Sequence, residues 1–177
     1  MGIAKKLWDG LLWVQRTLLF ITAFFILLII AVNVAMRYIF VIDFYGMEDI
    51  VLIAAWWCYF LGASYATYQR SHLSAEIVSI YVKNEAVKAV IKLFVSVATA
   101  CLGGVFAYWG YIQLSWALSS RGTTTVLQLP LIIPQSAIIL GFFLIAFYSL
   151  VNLINDVREF HVLRKNNWIV TAKDEVS

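Results

Sequence analysis

The chain has 177 residues, of which 63% are hydrophobic and only 13% are charged. A soluble domain carries about 25% charged residues, so this composition excludes an ordinary soluble protein and indicates an integral membrane protein with a single domain. The formal net charge of +3 is small and gives no indication of a nucleic-acid partner.

Four uncharged stretches are long enough to cross a bilayer as helices. A span needs about 20 residues, because each residue advances about 1.5 Å and the hydrocarbon core is about 30 Å thick. A signal peptide is the alternative for the first stretch, but the apolar run is too long and no small-residue cleavage site precedes Arg37. The predicted spans are residues 17–36, 50–69, 93–118 and 134–155, followed by a polar tail at 156–177.

The link between the second and third spans contains a short amphipathic segment at residues 73–82. This segment is too short and too polar to span, so we expect a helix that lies in the membrane interface. An ordinary cytoplasmic loop is the alternative. One helical face of the segment carries Leu73, Ile77, Ile80 and Tyr81.

Lysine and arginine are divided unevenly between the two sides of the predicted membrane domain. Eleven of the 13 lie in the N-terminal segment, the second link and the tail, and only Arg37 and Arg121 lie in the other two links. Cytoplasmic segments carry the excess of positive charge, so both termini are expected in the cytoplasm. The predicted fold class is an all-α membrane protein with four transmembrane helices and one interfacial helix.

The spans lack the residues that membrane chemistry requires. Transporters that act alone usually carry charged residues or broken helices inside the membrane, and no span here has a charge in its interior. Both histidines, His72 and His161, lie outside the spans, which argues against haem ligation, and Cys58 and Cys101 are isolated rather than paired. The sequence predicts no enzyme, no cofactor and no metal site, and it favours a scaffold subunit.

Small residues recur along the second span and predict a surface for close helix packing. Such ladders let helix backbones approach each other in lipid, where burial alone does not drive association. The spacing leaves open whether the neighbour belongs to this chain or to a partner. The ladder consists of Ala54, Cys58, Gly62 and Ala66, with Trp56 and Trp57 beside it, and a second small-residue face on span three consists of Ser96, Ala100, Gly104 and Ala107, next to Gly103.

Several short motifs along residues 16–155 together resemble the small membrane subunit of tripartite ATP-independent periplasmic (TRAP) transporters. Two departures are visible: Asp49 stands where the family often has a second glutamate, and the run after His72 ends in Glu76 rather than Asp. The motifs are the acidic pair Glu48-Asp49, then Leu61-Gly62-Ala63, Arg70-Ser71-His72, and Pro130, Pro134 and Gly141 at the start of span four.

This resemblance implies a function that the composition does not show. Small subunits of the family enlarge the static scaffold of a large permease subunit, which holds the substrate and sodium sites and moves as an elevator. A periplasmic binding protein delivers an organic acid, such as a dicarboxylate or sialic acid. The chain is thus expected in the bacterial inner membrane, within an organic-acid importer. Two alternatives stay open: a stand-alone homodimeric exporter that would use Glu48, and an assembly factor of another membrane complex.

The resemblance also suggests roles for the charges that flank the second and third spans. Arg70 and His72 are expected to anchor the end of span two through lipid phosphate, with proton transfer by His72 as the alternative. Four charged residues of the outward links are candidates for contact with the binding protein, or else solvated loop charges, since exposed ion pairs contribute only about 0–1 kcal/mol. These four are Asp43, Glu48, Asp49 and Arg121.

Overall fold

The computed structural model of the protein describes residues 2–42, 44–69 and 85–174, and over these ranges the chain is helical with no β-strand. Each of its four long helices contains a stretch that is long and apolar enough to cross a membrane. The prediction of four spanning helices is therefore confirmed. The helices are α1 (Ile3–Ala35, continued by a π-helical turn at Met36–Phe40), α2 (Met47–Gln69), α3 (Glu85–Ser120) and α4 (Ile132–Asp174).

Some of the sequence predictions fall on residues that the structure does not describe. The interfacial helix at 73–82 lies outside the described residues. The same is true of Asp43, Arg70 and His72.

All four helices extend beyond the predicted spans, because a span ends where charged residues begin and a helix does not have to. Residues 3–16, which precede the first predicted span and which we call the lead-in, form one helix with that span. Helix α4 has Pro134 in its first turn, where a proline displaces no hydrogen bond, and it meets no glycine or proline after Gly141. It therefore continues through the charged tail to Asp174.

The helices form an open row in the order α1, α2, α4, α3 rather than a closed bundle. Helix α4 packs along both α2 and α3, and α1 packs along α2. The backbones of α1 and α3 do not meet in the described part of the chain. One end of the row carries residues 41–42, 44–46 and 121–131, and we call it the link end. The opposite end, which we call the terminal end, carries the start of α1 and the later part of α4.

The contact between α2 and α4 depends on a glycine. A Cβ atom added to Gly141 would lie only 2.6 Å from the Cβ of Phe60 and 3.0 Å from the Phe60 carbonyl oxygen. The Phe60 ring then packs edge-on against Phe142, with ring centroids 5.2 Å apart. Close approach of the two backbones therefore requires that position 141 has no side chain.

The contact between α3 and α4 repeats every seven residues on both helices. A seven-residue repeat is the signature of left-handed packing between helices inclined by about 20°. Every step of seven forward along α3 is matched by a step of seven backward along α4, so the two helices are antiparallel. The matched pairs are Ser96 with Asp156, Gly103 with Ser149, and Gly110 with Phe142.

The small-residue face of α3 that packs on α4 differs from the predicted one. A Cβ atom added to Gly103 would lie 2.9 Å from Ser149 Oγ and 3.3 Å from Ala146 Cα, whereas no atom lies within 4 Å of a Cβ added to Gly104. The prediction that Gly104 belongs to the packing face is wrong for the contact within this chain. The reason is that the repeat is seven rather than four, which selects Gly103 and Gly110.

These neighbouring glycines give a matched test of the α3–α4 contact. Gly103→Leu forces a side chain into α4, and overpacking of this kind costs about 1–3 kcal/mol. Gly104→Leu has the same gain in helix propensity but faces open space. We expect the free energy of unfolding of Gly103→Leu to be lower than that of Gly104→Leu by about 1–3 kcal/mol. Denaturant titration in detergent micelles measures the difference, and equal stabilities would contradict the seven-residue contact.

Candidate functional site

Residues 121–131 form a hairpin at the link end, between α3 and α4. Arg121 has a left-handed backbone with φ of 44°, which ends α3 and turns the chain back. Two backbone hydrogen bonds join the arms: the Thr124 amide donates to the Leu129 carbonyl at 2.8 Å, and the Leu131 amide donates to the Gly122 carbonyl at 2.9 Å. The chain thus folds back over the start of α2.

Asp49, the third residue of α2, holds the tip of this hairpin. Its Oδ2 atom accepts hydrogen bonds from the backbone amides of Val126 at 3.1 Å and Leu127 at 2.7 Å. The side chain of Thr124 is a further hydrogen-bond partner, and Asp49 is only 6% exposed. A carboxylate in the first turn of a helix also lies at the favourable end of the helix dipole. Asp49 therefore joins the start of α2 to a loop far along the sequence.

A glycine contact reinforces the same junction. Gly46 has φ of 82°, a conformation that only glycine adopts without strain. A Cβ atom added there would lie 2.5 Å from Cδ2 of Leu127. Gly46 thus lies directly beneath the hairpin tip, one helical turn before Asp49.

The charged residues predicted to contact another protein occupy different positions at the link end. Glu48 and Arg121 are exposed, and Arg121 borders an open depression of about 300 Å³ between the end of α3 and the start of α4. Asp49 is buried beneath the hairpin, and its described hydrogen-bond partners are hairpin residues of this chain. A contribution of Asp49 to an interface would therefore be indirect, through the hairpin.

The small-residue ladder of α2 turns gradually across the helix surface. Ala54 is buried, Cys58 and Gly62 are half-buried, and Ala66 is exposed. A Cβ atom added to Gly62 would lie 3.6 Å from Cδ2 of Leu19, so this position faces α1. The ladder contributes to the α1–α2 contact at Gly62 and leaves Ala66 uncovered by the described chain.

The two adjacent tryptophans of α2 are both half-buried. The ring centroids of Trp56 and Phe60 are 5.9 Å apart. This contact begins a chain of aromatic rings across the row. The chain links α2 to α4 and then to α3, through contacts of 5.2 Å between Phe60 and Phe142 and 5.3 Å between Phe142 and Phe106. It joins three helices at one depth of the row.

A buried polar cluster near the terminal end was missed by the sequence reasoning. Gln15 of α1 is 3% exposed; its Nε2 donates to the Leu61 carbonyl at 3.0 Å and to Ser64 Oγ at 2.5 Å. The Tyr148 hydroxyl of α4 donates to Gln15 Oε1 at 2.8 Å. Trp8 covers the cluster, with its ring centroid 5.6 Å from that of Tyr148. Gln15 thus binds α1 to both α2 and α4.

A second polar group joins α3 and α4 at the terminal end. Lys92 Nζ donates to Glu159 Oε2 at 2.6 Å and lies 3.5 Å from Asp156 Oδ1. Ser96, one turn after Lys92, donates to the other oxygen of Asp156, which is 4% exposed. Among the described residues no group of three or more His, Cys, Asp or Glu side chains could hold a metal ion. In these clusters the described polar side chains join the helices to each other, and Asp49 joins α2 to the hairpin.

The sequence model of a protein family described as "Tripartite ATP-independent periplasmic transporters, DctQ component" matches residues 13–159. The chain belongs to this family. The match extends from the lead-in of α1 to Glu159, so it includes the hairpin, the Gln15 cluster and the α3–α4 contact. The match confirms the resemblance to the small TRAP subunit. The family consists of transporter components and is not an enzyme family. A comparison with curated proteins gave no match.

The Gln15 cluster predicts coupled effects of substitution. Gln15→Leu leaves the buried Tyr148 hydroxyl without its acceptor, which costs about 1–2 kcal/mol, and Tyr148→Phe leaves Gln15 Oε1 without its donor. Removing both polar partners is expected to cost less than the sum of the single changes. A double-mutant cycle on the free energy of unfolding measures this coupling. Strictly additive costs would show that the hydrogen bond contributes nothing.

Proposed function

We propose that this chain is the small scaffold subunit of a sodium-coupled importer that takes up an organic acid delivered by a periplasmic binding protein. Its partners would be a large permease subunit of the elevator type, the binding protein and membrane lipids. The observation that carries the proposal is the family match over residues 13–159. The open row of helices supports it, because the row presents apolar faces that the described part of the chain does not cover.

The exposure of α1 illustrates that support. None of the most apolar window of this helix is buried by the rest of the described chain. In the described part of the chain its backbone packs on α2 only, and its further contacts with α4 are made by the side chains of Gln15 and Trp8, so most of its surface is available to lipid or to another subunit. A row with such an open edge is suited to extend a larger assembly sideways in the membrane.

The distribution of positive charge supports an orientation for the subunit. Of the 13 lysines and arginines, only Arg121 in the hairpin and Arg37 in the π-helical turn that ends α1 lie near the link end. The positive-inside rule therefore favours a periplasmic link end and cytoplasmic termini in the bacterial inner membrane. In this orientation Arg70 and His72 lie at the cytoplasmic headgroups, where contact with lipid phosphate would anchor the interfacial helix at 73–82.

We further propose that the small-residue ladder of α2 serves two contacts. Gly62 packs against α1, while Ala66 is exposed and free to meet the large subunit, with Ala54 and Cys58 supporting packing deeper in the row. Trp56 and Trp57, half-buried on the same helix, would provide the broad surface beside the ladder.

Co-purification tests the proposed function directly. The tagged chain, extracted from its native membrane in mild detergent, is expected to retain one large membrane protein in about equal amount. A tagged unrelated membrane protein of similar size, extracted in parallel, controls for nonspecific retention. A homo-oligomer without a partner would contradict the proposal and favour a stand-alone exporter, for which Glu48 would be the first coupling residue to substitute. Recovery of a different complex would favour an assembly factor.

Charge reversal at the link end tests the proposed contact with the binding protein. Glu48→Lys and Arg121→Glu exchange exposed charges, and rim charges mainly alter the association rate and its salt dependence. We expect each to raise, several-fold, the binding-protein concentration that half-saturates uptake into proteoliposomes. Asp9→Lys, an exposed charge reversal at the terminal end, is the control. Unchanged uptake by both link-end variants would indicate that these residues are solvated loop charges.

A further inference from the structure

We infer that Asp49 is a positioning residue, which fixes the 121–131 hairpin on the start of α2 so that Glu48 and Arg121 meet the binding protein in one fixed arrangement. The inference rests on the proposed function, because it requires a binding protein that docks at the link end. It assigns Asp49 a role different from that of a direct contact.

The hairpin has little to hold it in place by itself. Its arms are joined by an isolated bridge between Thr123 and Pro130 with two backbone hydrogen bonds, and by the Leu129 amide, which donates to Thr124 Oγ1 at 3.0 Å. Two-stranded hairpins with so few cross-links are only marginally stable alone. Two non-glycine residues, Arg121 with φ of 44° and Gln128 with φ of 53°, have left-handed backbones that are unfavourable for L-residues. Such a loop keeps one conformation only if interactions from outside stabilise it.

Asp49 supplies the outside interactions at the hairpin tip. One carboxylate oxygen accepts both tip amides, from Val126 and Leu127, and hydrogen bonds to a charged acceptor are stronger than neutral ones. The packing of Leu127 over Gly46 adds an apolar contact at the same place. These contacts attach the tip to the first turn of α2, a rigid element.

This attachment also fixes two exposed charges relative to each other. Glu48 is the neighbour of Asp49 on α2, and Arg121 begins the hairpin. Between them the exposed hairpin residues include the polar side chains of Thr123, Thr125 and Gln128, beside the apolar Leu127 and Pro130. We call this exposed surface the platform. Its one acid, one base and several hydroxyl and amide groups are suited to contact the polar surface of a folded protein. The residue that orders the platform before docking lowers the entropy cost of binding.

The test uses the assembled complex with its large subunit and compares Asp49→Ala, Asp49→Asn and the control Asp9→Ala. Asp9 is also an acid, but it is exposed and lies at the terminal end. The first readout is hydrogen exchange of the Val126 and Leu127 amides. The second is uptake into proteoliposomes across a range of binding-protein concentrations, which separates the half-saturating concentration from the maximal rate.

We expect Asp49→Ala to accelerate exchange of both amides by about tenfold or more, the effect of losing a charge-assisted hydrogen bond. The half-saturating concentration should rise by a similar factor, while the maximal rate at saturating binding protein is retained. Asp49→Asn keeps an acceptor oxygen, so it should give intermediate values in both readouts, and it takes the place of Asp49→Ala if that variant does not assemble. Asp9→Ala should change neither readout.

Three results would overturn the inference. Unchanged amide exchange would show that Asp49 does not hold the hairpin. Faster exchange with an unchanged half-saturating concentration would show that hairpin order does not matter for docking. A lower maximal rate alone would indicate a role in assembly or transport. If the wild-type chain retains no large subunit, the proposed function fails first and the inference fails with it, which distinguishes that case from the other three.

Discussion

The architecture depends on close backbone contact between helix α4 and its two neighbours. In lipid, burial of apolar side chains gives little drive for helix association, so packing density and hydrogen bonds must supply it. Gly141 admits Phe60 of α2 on one side of α4, and Gly103 admits Ala146 and Ser149 of α4 into the groove of α3 on the other. With both contacts formed, α4 lies between α2 and α3, and α1 is left at the edge.

The edge position of α1 explains why a buried polar cluster lies where this helix meets α2 and α4. Within the described chain this helix has a single backbone neighbour, and none of its most apolar window is buried. The hydrogen bonds of Gln15 to Ser64 and Tyr148 give it a defined register on the row, which apolar packing on one neighbour would specify only weakly. A scaffold that presents α1 to lipid or to a partner needs such a register, because a sliding helix could not form a stable interface.

The sequence predicted four long apolar helices correctly because the bilayer imposes a length and excludes charge, and both are visible in a single chain. It did not predict which faces pack. The small residues of span three were grouped at intervals of four, which includes Gly104, whereas the supercoiled contact repeats every seven and uses Gly103. Gln15 was overlooked because a lone glutamine in an amphipathic lead-in shows no partner. The role of Asp49 was equally invisible, since its acceptor function depends on two amides about 77 residues away.

The two ends of the row are ordered by different interactions, and this difference bears on function. At the terminal end, the ion pair of Lys92 with Glu159 is largely exposed, so water and salt screen it and it constrains the helices only weakly. At the link end, Asp49 is shielded beneath the hairpin and bonds to backbone amides, whose positions do not depend on side-chain rotamers. The hydrogen bonds of Asp49 are therefore screened less by water and salt than the Lys92–Glu159 ion pair. In a chain whose predicted spans have no charge in their interior, the polar contacts at the two ends of the row complement the glycine contacts of α4 in fixing the helix positions.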